Sequence, residues 1–207
     1  KVLEKILGTC FAGWIMTDGY CVYRDYLNRL RCWAHLTRKA RGLAESLNQD
    51  SRAFGKEVLA FLDLLMAAIY AAREGPSENL RPLFKEKLEE FRTLCEKYCN
   101  AKNDKLRALA REFLNDWEAI FRILEHPHFP LTNNLAEQIL RHWVLLRKAN
   151  HGTKSTQGTR TIGILASVID TLRMRNVSPW EYIAQTVEQR RKGFPISPLP
   201  QANLLAV

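Results

Sequence analysis

The chain has 207 residues, enough for one domain or for one domain carrying a large insertion. Hydrophobic residues at 46% and charged residues at 26% fit a packed core with a solvated surface, and they exclude a low-complexity chain. The net charge of +9 is uneven: from Pro130 onward ten Lys/Arg face four Asp/Glu, whereas residues 1–129 carry twenty-one against eighteen.

In chain order, Gly13-Trp-Ile-Met-Thr17 is a short apolar run stopped by Asp18-Gly19, which predicts a buried strand and a turn. Tyr20 to Asn28 suits a short helix with Tyr23, Tyr26 and Leu27 inward, and Leu30-Arg-Cys-Trp-Ala34 suits a second strand. A strand, a short helix and a strand imply a parallel pair. Asp18 then falls at the carboxyl end of the first strand, where open α/β sheets gather ligands. Asp-Gly is equally a plain turn dipeptide.

Leu36 to Leu47 predicts a helix. Phe54, Val58, Phe61, Leu62, Leu65 and Ile69 mark a second helix that stops at Gly75-Pro76. Ser77 or Pro82 can open the next, with the stripe Phe84, Leu88, Phe91, Cys95 and Tyr98. Leu106, Leu109, Phe113, Trp117, Ile120 and Leu124 continue one helical period and predict another long helix. These last three helices are expected to pack as an antiparallel bundle. The longest apolar run, Val58 to Ala72, contains Asp63 and is too short to span a bilayer.

His126-Pro-His-Phe-Pro130 reads as a rigid loop. Leu135, Ile139, Trp143 and Leu146 form a helical stripe, Lys148 to Thr156 a basic loop with Gly152, and Ile162, Leu165, Ile169 and Leu172 a further stripe. Ser178-Pro-Trp-Glu181 starts a last helix, with Ser at N-cap, Pro at N1 and Glu at N3. That helix ends near Gly193, and the proline-bearing tail from Phe194 is expected to lie extended or to be mobile.

Five cysteines (Cys10, Cys21, Cys32, Cys95, Cys99) are an odd number without framework spacing, which points to a reducing compartment. Cys32-x-x-His35 is a poor zinc site by itself, since structural zinc takes four ligands. Cys95, Cys99, His126 and His128 nominally supply four, but Cys95 lies on an apolar stripe, where buried packing is the usual role. The five tryptophans, Trp14, Trp33, Trp117, Trp143 and Trp180, read as core. No signal-peptide pattern opens the sequence, and Lys1 to Gly8, without an initiator Met, reads as the interior of a longer chain.

Two stretches together carry a resemblance. Thr17-Asp-Gly-Tyr20 with Cys32-Trp-Ala-His35 and Arg38, then Thr132-Asn-Asn-Leu-Ala-Glu-Gln-Ile-Leu-Arg141 with Arg147-Lys148 and the Gly152 loop, resemble the second-aspartate and glutamate regions of transposases of the insertion-sequence-66 type. The resemblance implies an α-rich α/β fold: a partial RNase H-like core with two short parallel strands (1–36), a helical insertion (37–126), the glutamate helix and C-terminal helices (127–193) and an extended tail (194–207). It implies a DDE transposase that cuts and joins transposon-end DNA with two Mg²⁺ ions, for which Mn²⁺ can substitute. Such ions sit roughly 3.5–4 Å apart and hold both the attacking and the leaving oxygen.

Carried over, Asp18 is the second acid and Glu137 the third, both catalytic and metal-holding. The first acid is expected upstream of this sequence, so the 207 residues alone are expected to be inactive. Cys32, His35 and Asn134 are expected just behind the ligands, supporting them by packing and hydrogen bonding. Arg141, Arg147, Lys148, Lys154 and Arg160 are expected to track DNA phosphates. Glu137 has local alternatives, a capping box with Asn134 or an i,i+4 pair with Arg141. A homo-oligomer on transposon-end and target DNA, no membrane, and a bacterial cytoplasmic, nucleoid-associated location are the further implications. A non-catalytic DNA-binding or assembly piece and a helical protein-interaction module are the rival readings.

Overall fold

The computed structural model describes residues 7–8, 11–76 and 78–201. Cys10, Ser77 as a helix opener, most of the first eight residues and the last six of the tail lie outside them. The chain divides into two compact units, Lys1–Glu137 and Gln138–Val207. The described residues are α-rich α/β, with many helices and two short parallel strands.

In the first unit, strand β1 (Ile15–Thr17) pairs in parallel with β2 (Arg29–Arg31), in the register Ile15↔Arg29, Met16↔Leu30 and Thr17↔Arg31. The crossover is tighter than the sequence predicts: only a 3₁₀ turn, Cys21–Tyr23, forms, and Leu27 is 88% exposed instead of inward. No side chain caps that turn. The return limb is tied by Asn28 Nδ2 donating to Ala12 O (2.8 Å), which suits a connection this short better than a full helix does.

The second predicted strand also ends early. Cys32 turns the chain, and helix α1 (Trp33–Ala44) takes the residues Trp33 and Ala34. Cys32 N donates to Thr17 O (2.9 Å), so the last bond of the strand pair is made at the helix entrance.

Helix α2 (Gln49–Glu74) is capped by Asn48, whose side chain accepts from Ser51 N (2.9 Å). Its stripe, Phe54, Val58, Leu62, Leu65 and Ile69, is fully buried. Gly55 lets α1 and α2 approach: a Cβ there would stand 2.4 Å from Ala44 N and 2.7 Å from Ala40 O. The mid-helix glycine, normally unfavourable, is set by that contact.

Helices α3 (Lys85–Tyr98) and α4 (Asp104–Asn115) close the core. Phe91 stacks on Phe61 at 4.2 Å between ring centroids and meets Phe113 edge-on at 5.0 Å, good geometries for aromatic pairs. The long helix predicted over Leu106 to Leu124 is in fact broken. After α4 the backbone turns at Asp116 (φ −126°, ψ 21°) into a short α5 (Trp117–Phe121) and a 3₁₀ turn, Arg122–Leu124. The apolar period runs through the break because both halves face the same core. The interruption coincides with the tertiary contacts of Asp116, described below.

The second unit contains most of helix α6 (Asn134–Ala149), then α7 (Thr156–Met174) and α8 (Pro179–Arg191). Ser155 and Ser178 cap α7 and α8, accepting from Gly158 N (3.0 Å) and Glu181 N (3.4 Å). Gly193, at φ +78°, ends α8, with Phe194 N returning to Gln189 O (2.9 Å) in the manner of a glycine-terminated helix. The described part of the tail, residues 194–201, has no regular secondary structure and is tied to α8, where Tyr182 Oη donates to Ser197 O (2.9 Å).

Here the predicted stripes are helical but largely uncovered. Ile139, Leu146, Ile162 and Leu165 keep about two-fifths of their surface exposed, and Leu172 is the fully buried apolar residue described in this unit. Trp180, expected in the core, is 81% exposed in the first turn of α8. Periodicity identifies a helix; it does not show what covers the stripe. Among the described residues, no helix is long and apolar enough to cross a membrane.

Candidate functional site

Asp18 directly follows β1, at the carboxyl end of the parallel pair, and its side chain is exposed. Its Oδ1 accepts from Tyr20 N (3.0 Å), forming a tight Asp-Gly turn. Gly19 sits at φ +97°, a conformation that favours glycine. The carboxylate accepts two hydrogen bonds per oxygen at most, so one amide contact orients it without exhausting it.

The corresponding position after β2 leads into α1. His35 stands in the first turn of that helix, and its Nε2 lies 2.9 Å from Glu137 Oε1. The carboxylate can only accept, so this contact is Nε2–H donating to Glu137. The bond spans 102 positions in sequence and ties the glutamate to the first turn of α1, the helix that follows β2. Cys32 is fully buried at the entrance of α1, where its backbone holds Thr17.

The loop before Glu137 is fixed as well. Arg73 Nε donates to Pro127 O (2.7 Å), its Nη2 to Phe129 O (2.6 Å), and Trp33 N to Leu131 O (2.9 Å). Trp14 packs against His126 and Phe129 at 4.6 and 5.1 Å between ring centroids. Helix α6 begins at Asn134, and Glu137 N donates to Asn133 O (3.1 Å), so Glu137 sits one place beyond the N3 position of a capping box. Asn134 is exposed. Its neighbour Asn133, part of the same motif but given no role of its own there, buries an Oδ1 that has no hydrogen-bond partner.

Two buried arginines beneath the strands are also absent from the sequence-based expectations. Arg29 is 7% exposed and Arg31 2%. Arg29 engages Asp116 through both terminal nitrogens, with Nη1 at 2.9 Å from Oδ2. Arg31 Nη1 reaches Asp116 Oδ2 (2.5 Å), and its Nη2 reaches Glu112 Oε1 (2.5 Å) and Asp18 O (3.1 Å). Lys39 adds a contact to Glu112 at 2.6 Å. Burial tends to raise the Asp116 carboxyl, but the Arg29 and Arg31 guanidiniums outweigh it and hold Asp116 below the ordinary carboxylate range. The signal that could have found them is two charges alternating with Leu30 in a strand.

Among the described residues, no group of three or more His, Cys, Asp or Glu side chains is gathered to hold a metal ion. Cys95 is buried in the core, and burial pushes its thiol up to about 12, the behaviour of an inert packed cysteine.

The basic side chains of the second unit lie on α6, its following loop and the start of α7. Arg141, Arg147, Lys148, Lys154 and Arg160 are all exposed. The loop turns through His151 (φ 52°) and Gly152 (φ 81°), with Gly152 N donating to Arg147 O (2.8 Å). Trp143 Nε1 donates to Asp170 Oδ2 (2.6 Å), joining α6 to α7. Beside this bond runs an apolar-walled cleft of about 300 Å³, with Trp143, Arg147, Asn150, Thr159 and Ile162 among its lining.

Asp18 thus follows β1, and Glu137 is hydrogen-bonded to the first turn of the helix that leaves β2. Residues 1–161 match the Transposase IS66 family, and the chain belongs to that family. It is 25% identical over 205 residues to the uncharacterized protein y4qI of Sinorhizobium fredii, covering 90% of this chain and 38% of that protein. It is 24% identical over 159 residues to y4jO of the same organism, covering 75% and 47% respectively. With y4jD the identity is 23% over 199 residues, covering 88% and 39%. The chain therefore spans less than half the length of these relatives. No solved structure matches it.

Proposed function

We propose that the chain forms part of the catalytic domain of a DDE transposase with an RNase H-like core, in which Asp18 and Glu137 hold Mg²⁺ for cleavage and strand transfer of transposon-end DNA. The observation that supports the reading is the His35–Glu137 hydrogen bond, which joins the glutamate to the helix leaving β2, the strand paired with the one that Asp18 follows. The donors suit the ion in kind. Both acids offer hard oxygens, which Mg²⁺ takes, and the partnerless buried Asn133 Oδ1 is another oxygen of the same type near Glu137. They are two carboxylates, and the whole protein supplies the third.

Bound there, the ions would neutralise charge on the scissile phosphate and acidify the attacking water or 3′-hydroxyl. The residues of this chain have defined parts in that scheme. Glu137 contributes oxygen ligands, and His35 fixes its orientation by donating to Oε1. Asp18 contributes a carboxylate oriented by the Tyr20 amide. Arg141, Arg147, Lys148, Lys154 and Arg160 hold the DNA backbone, and the protein acts as a homo-oligomer on the transposon ends.

The test is magnesium-dependent nicking of transposon-end DNA by the full-length protein. Glu137→Gln and Asp18→Asn are expected to lower it by more than about 100-fold, the scale of losing a preorganised electrostatic group. His35→Ala is expected to cost about 10–100-fold, as supporting partners of metal ligands do. Wild-type nicking by Glu137→Gln would refute the assignment. One rival is a DNA-binding or assembly domain without chemistry. That rival predicts unchanged DNA binding and no metal-dependent nicking in any variant.

A further inference from the structure

We propose that Arg31 is a positioning residue for Asp18, and that it couples the position of this acid to the helical region through Glu112 and Asp116. The inference rests on the reading of Asp18 as a metal-holding acid.

Arg31 is the last residue of β2 and pairs with Thr17, the last of β1. Its guanidinium turns back under the strand end. Nη2 donates to the backbone carbonyl of Asp18 (3.1 Å) and to Glu112 Oε1 (2.5 Å), while Nη1 donates to Asp116 Oδ2 (2.5 Å). One planar, almost fully buried group thus binds the turn that carries the acid on one side and two carboxylates of the α4 region on the other. The fork geometry of arginine makes this possible; a lysine ammonium is a point charge that cannot reproduce all three directions.

Gly19 records the same closeness. A Cβ on Gly19 would stand 2.3 Å from Arg31 Cζ, so the turn is shaped around the guanidinium as well as around its positive φ. The strand end is consequently held twice. Thr17 O is bound by Cys32 N, and the next carbonyl, that of Asp18, is bound by Arg31. Arg29 provides the internal comparison. It is buried and bound to the same Asp116, but its side-chain hydrogen bonds among the described residues go to that carboxylate and not to the Asp18 turn.

The experiment compares Arg31→Lys with Arg29→Lys in the full-length protein. Both disturb the Asp116 ion pair; only the first disturbs the Asp18 carbonyl contact. Arg31→Lys is expected to raise the Mg²⁺ concentration for half-maximal nicking about tenfold or more, with DNA affinity unchanged, while Arg29→Lys, which reaches Asp18 only indirectly through Asp116, shifts it much less. Glu112→Gln, at a partly exposed site, should shift it in the same direction by less. Amide exchange at Tyr20 should quicken in Arg31→Lys beyond Arg29→Lys, a readout that needs no activity. Equal Mg²⁺ shifts and equal Tyr20 exchange in the two lysine variants would reduce Arg31 to a structural staple and overturn the inference. If instead Asp18→Asn nicks at the wild-type rate, the metal reading of Asp18 fails, and the inference falls with it for that separate reason.

Discussion

Asp116 concentrates much of the electrostatic cost and gain of the first unit. It is 5% exposed, and two guanidiniums converge on it. Its carboxyl is held below the value of an unfolded aspartate, roughly 3.9. A group with a lowered folded value binds fewer protons in the native state, so its stabilisation is complete above the unfolded value and disappears as pH falls through the folded one. The melting temperature of the first unit should therefore hold steady on acidification to about pH 4 and then decline. Asp116→Ala is expected to cost about 3–5 kcal/mol at neutral pH, because it leaves two buried cations without this partner, and to flatten that acid decline. Chemical denaturation at pH 7 and pH 3 would measure both effects.

At the scale of elements, helices α6 and α7 and the loop between them present the exposed basic side chains. If these meet DNA phosphates, the logarithm of affinity falls linearly with the logarithm of salt. Replacing Arg147 and Lys148 together by Ala should weaken binding about equally for all sequences and lower the salt slope by about 1 for each phosphate no longer engaged. Fluorescence anisotropy across a salt series would show it; an unchanged slope would make this a solvated face only.

Most elements are legible in the sequence because their signals are local. The stripe of α2, the Ser178 cap and the Gly193 stop each lie within one turn of the residue they control. The break at Asp116 is hidden, and the partners of Asp116 lie 85 and 87 positions away, at Arg31 and Arg29. The short crossover mimics a helix in sequence because Tyr23, Tyr26 and Leu27 imitate a helical face, whereas strand spacing dictates a tighter path. Within the candidate site, the resemblance singles out Asp18, His35 and Glu137. The pairing of His35 with Glu137 is a product of folding, and so are the contacts of Arg31, which no motif announces.

Over the whole molecule, the buried core is unequally shared. Nearly all the fully buried apolar residues described belong to Lys1–Glu137, whereas Gln138–Val207 contributes Leu172. Local opening free energies follow buried apolar contact, so the second unit should exchange amides and admit proteases first. Limited proteolysis of the 207-residue chain is expected to leave a resistant product ending near residue 137, and cuts appearing first within α2 or α4 would contradict this. DNA added beforehand should slow cleavage within residues 138–201 if those residues bind it.

The kink at Asp116 also constrains anyone who would shorten this protein. Excising the helices between the strand pair and the glutamate would strip Arg29 and Arg31 of Asp116 and Glu112, and with them the anchor that reaches the Asp18 turn. A minimal version would need another means of holding Asp18 in place.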